Sequence, residues 1–182
     1  MSYCEFTKEL EESHLDRKYH DHRYGFPVDN DDELFGRLIL EINQAGLSWA
    51  LILKKEEHFE KAFDQFSIEK IANYSSHKVE ELLQNEKIIR NRLKIESVIY
   101  NAQKVIDIQK KYGSFNNWLM QFVGSSLKEW TAIFKKNFKF TGEKIVDEFL
   151  MSASFMKGAH DENCPIFEII MKKDPKWKKE KS

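Results

Sequence analysis

The sequence predicts an all-α protein. Apolar residues recur at helical spacing along most of the 182 residues, only 7 Gly and 3 Pro punctuate the chain, and no segment reads convincingly as a strand. Leu34, Leu38 and Glu41 lie at helical spacing with Phe35 and Ile39 beside them, and Asp31, Asp32 and Glu33 place acidic charge at the start of that helix, where its dipole is positive. After the turn-like Gln44-Ala45-Gly46, the apolar stretch from Leu47 to Leu53 predicts a second helix, and His58 to Phe66 continues the pattern. Ser67 is placed to cap a short helix through Ala72, and Ser75 or Ser76 one that reaches about Gln84. The longest periodic stretch runs from about Ile88 to Tyr112. Ser114 then caps Phe115 to Val123, Ser125 or Ser126 opens a helix ending near Lys136, and Thr141 caps a last one from about Gly142 to Lys157.

Composition bounds the function. An apolar fraction of 41% is enough for a sizeable core, so residues 1–171 are expected to form one domain, with room for two helical lobes and a site between them. Residues 172–182 are lysine-rich and expected to be a flexible, solvated tail. A net charge of −1 excludes coating of nucleic acid by bulk electrostatics, so any DNA contact must use a local patch. No apolar run approaches the roughly 20 residues of a membrane span, and no export signal is visible. With only two cysteines, that points to the reducing cytoplasm; no membrane partner is expected, and the chain is expected to be a monomer.

His160 and Cys164 stand four residues apart, so on a helical turn an imidazole and a thiol would face one ion. Cys4 at the other end of the chain and a further histidine would complete a closed Cys2His2 zinc set clamping both ends. His20 is one candidate for that fourth place; His14, His22, His58 and His77 compete, and spacing does not choose among them. A disulfide between Cys4 and Cys164 is the rival reading, disfavoured by the expected compartment.

One string is more specific. Tyr19-His20-Asp21, Gly25 and Pro27 precede Glu41-Ile42-Asn43-Gln44-Ala45-Gly46-Leu47-Ser48-Trp49; Ile88-Ile89-Arg90 with Arg92 and Lys94-Ile95, Phe138-Lys139-Phe140 with Gly142, and His160 and Cys164 follow. In this order the chain resembles the DNA-3-methyladenine glycosylase I family from residue 4 to residue 164. The resemblance implies a helix-hairpin-helix DNA glycosylase fold acting on double-stranded DNA that contains alkylated bases. It implies a structural zinc held by Cys4, His20, His160 and Cys164, and base recognition by Glu41, Tyr19 and Trp49.

The chemistry suits those residue types. Methylation at N3 makes adenine a cation with a weakened glycosidic bond, so the enzyme needs to extrude the nucleotide and hold the base more than it needs a strong acid. Trp49 offers a stacking face, Glu41 an acceptor and a negative charge, and Tyr19 a hydroxyl. By resemblance the Gln44–Leu47 loop enters the duplex, with Gly46 allowing close approach and Leu47 filling the space left by the flipped base. Lys87, Arg90, Arg92 and Lys94 form the expected phosphate-binding cluster of the hairpin. The chain departs from the family at Phe6 and Tyr24, where tryptophans are usual, at Lys87, where glycine is usual, and in a shortened segment from Val123 to Phe138. Phe6 and Tyr24 keep a stacking face and are read as base-binding. The departures motivate a second reading, a family member that binds damaged DNA without excising a base.

Overall fold

The computed structural model describes residues 1–179, and among these every regular element is helical. The centre is α3, Asp31–Gln44, in which every residue from Leu34 to Asn43 is buried. A helix buried on all faces needs cover on every side. That cover comes from α4 (Trp49–Ala62), α5 (Ile68–Ala72), α7 (Arg92–Tyr112), α8 (Phe115–Met120) and α10 (Glu143–Ser152). Asn30 caps α3, and Asp31 serves a second helix start: its carboxylate accepts the backbone N–H groups of Phe115 at 2.8 Å and Asn116 at 3.0 Å, opening α8. Beyond α8, Phe115, Trp118, Phe122, Trp130, Phe134, Phe138 and Phe149 form an aromatic cluster that packs α9 (Leu127–Asn137) against α10.

The serine caps stand where the sequence placed them. Ser67 caps α5, Ser75 caps α6 (Ser76–Gln84), Ser114 caps α8 and Ser126 caps α9, each through a hydrogen bond to the third residue on. Boundaries differ where local turns intervene. The α4 helix is continuous through Ala62 and closes in a 3-10 turn, Asp64–Phe66. Ile88 is buried but belongs to the connection before α7, which starts at Arg92 under an Asn91 cap. The α10 helix stops at Ser152, not near Lys157, because Ser154 turns left-handed at φ 70°.

Three helices were not expected: α1 (Tyr3–Lys8), α2 (Leu15–His22) and α11 (Pro165–Lys172). His160 lies in irregular chain, and Cys164 is the residue that caps α11, so the two do not share a helical turn as the spacing suggested. The expected solvated tail also differs as far as residue 179. Lys176 is buried, its ammonium held by the Val28 carbonyl, Asn116 Oδ1 and Asp29, over the Phe155 ring. Its long apolar stem covers core while three oxygens receive the charge, which is how a lysine-rich run comes to pack. Positions 180–182 of that tail lie outside the described residues.

Candidate active site and metal centre

The ends of α1, α2, α3, α4 and α10 converge on a cavity of about 210 Å³ lined by Tyr3, Tyr19, Tyr24, Glu41, Gln44, Trp49, Lys144 and Glu148. Glu41 reaches it from α3, the most deeply buried helix, and is itself only 4% exposed. The position between Leu40 and Ile42 would normally face water; here α10 covers it. No described residue donates a hydrogen bond or an ion pair to the Glu41 carboxylate. Burial first, then the negative charge of Glu148, pushes its carboxyl well above the ordinary carboxylate range, with Arg37 and Lys144 opposing.

Around it stand aromatic rings. Tyr19 lies 5.1 Å from Trp49 between ring centres, tilted by 55°, and 5.6 Å from Tyr24. Burial and the Glu41 charge hold the Tyr19 hydroxyl above its ordinary range, so it is a hydrogen-bonding phenol at any working pH. The Trp49 indole N–H is buried without an acceptor. Tyr24 donates to a Glu148 carboxylate oxygen at 3.1 Å. Arg37, one turn before Glu41, braces the floor: it donates to the Arg23 carbonyl at 3.0 Å and to the Ser152 carbonyl, tying the end of α2 to the end of α10.

Beside this cavity, the sulfurs of Cys4 and Cys164 and one ring nitrogen each of His20 and His160 all lie within 4.8 Å of one another. The sulfur–nitrogen separations are 3.3, 3.6, 3.8 and 3.9 Å. For metal–ligand bonds of about 2.3 Å to sulfur and 2.0–2.1 Å to nitrogen, a tetrahedral edge is about 3.6 Å, so these four atoms fit one ion. The outer contacts fit as well. His20 presents Nε2 inward while Nδ1 meets Asp21 Oδ1 at 2.7 Å, and His160 presents Nδ1 while Nε2 meets the Tyr24 carbonyl at 2.7 Å. Each ring thus spends its other nitrogen on an oxygen, the arrangement that fixes a metal-binding imidazole. Arg17 Nε in turn donates to Asp21 at 2.6 Å. Both cysteines are free thiols, so the disulfide reading does not apply. His20 therefore joins the cluster, and the competing histidines do not. Gly25 follows the Tyr24 carbonyl at φ +80°; a Cβ there would sit 2.8 Å from Ala159 Cβ and 3.2 Å from the His160 ring, so only glycine lets the two strands of irregular chain meet.

The remaining expected residues fall into two groups. Gln44, Gly46 and Leu47 form an exposed turn at the cavity rim, closed by Gln44 Nε2 donating to the Leu47 carbonyl at 2.8 Å, with Gly46 at φ +81° in open space. Leu47 is 36% exposed. Lys87, Arg90 and Arg92 are exposed around the α6–α7 connection, but Arg92 is paired with Glu80 at 2.6 Å and Arg90 with Glu86 at 3.8 Å. Lys94 does not belong with them. It is buried, and its ammonium donates to the carbonyls of Asn43 at 2.9 Å and Ala45 at 2.8 Å, the last residues of α3 and the start of the turn. Within the first turn of α7, Arg92 and Leu93 face out while Lys94 and Ile95 face in, and this is why charge alone misplaced the residue. Phe6 does not line the cavity; it is 40% exposed and stacks on Tyr3, which lines the wall instead. Tyr3, Lys144 and Glu148 carried no motif, because nothing in their local spacing marks residues gathered from the two ends of the chain.

The methyladenine glycosylase family profile matches residues 9–167. The DNA-3-methyladenine glycosylase of Haemophilus influenzae is 31% identical over 166 residues, covering 81% of this chain and 89% of the relative. DNA-3-methyladenine glycosylase 1 of Escherichia coli is 32% identical over 157 residues, covering 76% and 84%. Among solved structures, a tyrosine-to-phenylalanine variant of 3-methyladenine DNA glycosylase I in complex with 3-methyladenine superposes with a TM-score of 0.81 at 31% identity, covering 91% of this chain and 97% of that one. A Staphylococcus aureus enzyme solved to explain 3-methyladenine recognition gives 0.78 at 31% identity, covering 86% and 93%.

Proposed function

The chain belongs to the methyladenine glycosylase family, and from that premise we propose that it is a monofunctional DNA glycosylase of base excision repair that releases 3-methyladenine from alkylated double-stranded DNA. One observation carries the reading. Glu41, Tyr19 and Trp49 line one cavity, and the Trp49 indole N–H is buried there without an acceptor. Buried polar groups are ordinarily satisfied, so an orphan donor beside a buried acid and a phenol in one cavity supports a binding site for a polar aromatic ligand. Two solved relatives carry a tyrosine-to-phenylalanine and a glutamate-to-glutamine change, and those two residues are separated in sequence by as many positions as Tyr19 and Glu41.

The chemistry follows from charge. A flipped 3-methyladenine is a cation whose bond to the sugar is already weak. Trp49 takes its face and the Tyr19 hydroxyl bonds its edge. Glu41, held toward its neutral form in the empty pocket, is drawn back to the carboxylate by the arriving cation and accepts from the exocyclic amine. The charge that develops on the sugar is met by the same buried carboxylate as water displaces the base. Leu47, at the exposed turn, fills the gap the base leaves. The α6–α7 connection serves as the helix-hairpin-helix, where Lys87 meets phosphate and Arg90 and Arg92 exchange their surface glutamates for it. The Cys4, His20, His160 and Cys164 cluster holds a structural zinc: two thiolates and two imidazoles close the coordination sphere, leave no place for substrate, and fasten α1 and the chain around residue 160 behind the pocket. Folded, zinc-loaded protein incubated with methylated DNA should release free 3-methyladenine. Tight binding without release would establish the second reading, a damage binder that does not excise.

A further inference from the structure

The cavity has a second acid that no motif announced. Glu148 reaches it from α10, one turn beyond Lys144, on the wall facing Glu41. Its carboxylate is moored by the Tyr24 hydroxyl at 3.1 Å. Tyr24 is itself 8% exposed and packed edge-on against Tyr3 and tilted against Tyr19, so the donor that holds Glu148 is rigid. We propose that Glu148 is a specificity-determining residue of the base pocket, a second acidic wall whose negative charge favours a positively charged purine over a neutral one of the same shape. This rests on the reading of the cavity as the site of a flipped methylated adenine.

Three features support it beyond position. The groups facing Glu41 are Tyr19 from α2, Tyr24 from the following turn, Arg37 from its own helix, and Lys144 and Glu148 from α10. Arg37 is held away by the Arg23 and Ser152 carbonyls and by Glu33, and its charge, with that of Lys144, opposes the effect of Glu148 on Glu41. Lys144 is exposed at the rim, screened by water, whereas Glu148 is half-buried against Tyr24. The cavity thus presents two acids on its inner wall and one ammonium at its exposed rim. The like charge of Glu148 acts on Glu41 in the direction that makes it protonated when nothing is bound. A neutral purine meets one hydrogen-bonding acid and one moored carboxylate with nothing to pair. A cationic purine meets both as counter-charges. The same steric pocket therefore separates the two by charge.

The test uses full-length, metal-loaded protein and Glu148→Gln, which keeps an oxygen for the Tyr24 hydroxyl and removes only the charge. Binding of a permanently cationic N-methylated adenine and of neutral adenine is followed by tryptophan fluorescence. Wild type should prefer the cation, and Glu148→Gln should lose that preference by roughly tenfold, the scale of one charged hydrogen-bonding partner. Tyr24→Phe, which frees the carboxylate without removing it, should lose a smaller part of the preference. A cation-to-neutral ratio unchanged in Glu148→Gln overturns the proposal, as does wild-type protein that binds neither purine. Release of 3-methyladenine from methylated DNA is scored in parallel. Wild type that prefers the cation yet releases nothing refutes the enzymatic reading while leaving Glu148 supported.

Discussion

Replacing Lys94 by methionine separates two views of the same residue. The side chains have similar length and stem, so the substitution removes the ammonium and little else. That ammonium makes two hydrogen bonds, at 2.9 Å to the Asn43 carbonyl and 2.8 Å to the Ala45 carbonyl. Bonds to a charged group contribute roughly 1.5–3 kcal/mol each, about 3–6 kcal/mol for the pair. Against this stands the cost of burying the ammonium, visible in the way burial pulls its pKa below the ordinary lysine value. The loss is about 2–3 kcal/mol, and for a chain of this size about 2–4 °C of melting temperature follow each kcal/mol, so the variant should melt roughly 5–10 °C lower. Scanning calorimetry measures that directly. The phosphate-binding role expected from the sequence makes the opposite forecast: unchanged melting, and a salt dependence of DNA binding shallower by about 0.9 in log–log slope. A variant that melts within a degree of wild type and shows the shallower slope would refute the structural assignment.

Other expectations follow from the same geometry. Glu41→Gln should abolish release of 3-methyladenine while stabilising the fold at neutral pH. The folded pKa of Glu41 lies above its unfolded value, so wild type loses stability as pH rises above about 4.5, up to the raised folded value; the advantage of the variant should vanish at pH 4 and below, checked by melting across pH. One zinc per chain should be found by mass spectrometry of native protein and be missing from a Cys4→Ser, Cys164→Ser double variant, with a stability loss of several kcal/mol; stoichiometric zinc in that variant would exclude the assigned ligands. Gly25→Ala should cost about 2 kcal/mol or more in urea unfolding, since φ +80° and a 2.8 Å approach to Ala159 penalise any Cβ.

Much of the fold was legible because its signals are local. Ser67, Ser75, Ser114 and Ser126 cap through bonds to residues three positions on, and the periodicity of α3 and α7 spans enough turns to be read without partners. The short α1 and α11 helices and the polar α2 lack that length, and each is held by contacts made far along the chain; Tyr3 of α1, for example, lies 5.6 Å from Tyr24. The trio Glu41, Tyr19 and Trp49 was visible through a resemblance, and the same resemblance pointed to His20 among the competing histidines. Lys94 was misread because a basic residue beside Arg90 and Arg92 does not itself reveal which side of the first turn of α7 it occupies. Glu148 and Tyr3 were invisible because a wall built from both ends of a sequence has no spacing.

The cluster of Cys4, His20, His160 and Cys164 draws on both ends of the chain, which has a consequence for synthesis. The ribosome delivers α1 and α2 first, yet the residues that fasten them, His160 and Cys164, emerge last. The cluster beside the cavity therefore closes only after translation has passed the second cysteine, and a product interrupted before residue 160 would lack two of its four ligand side chains.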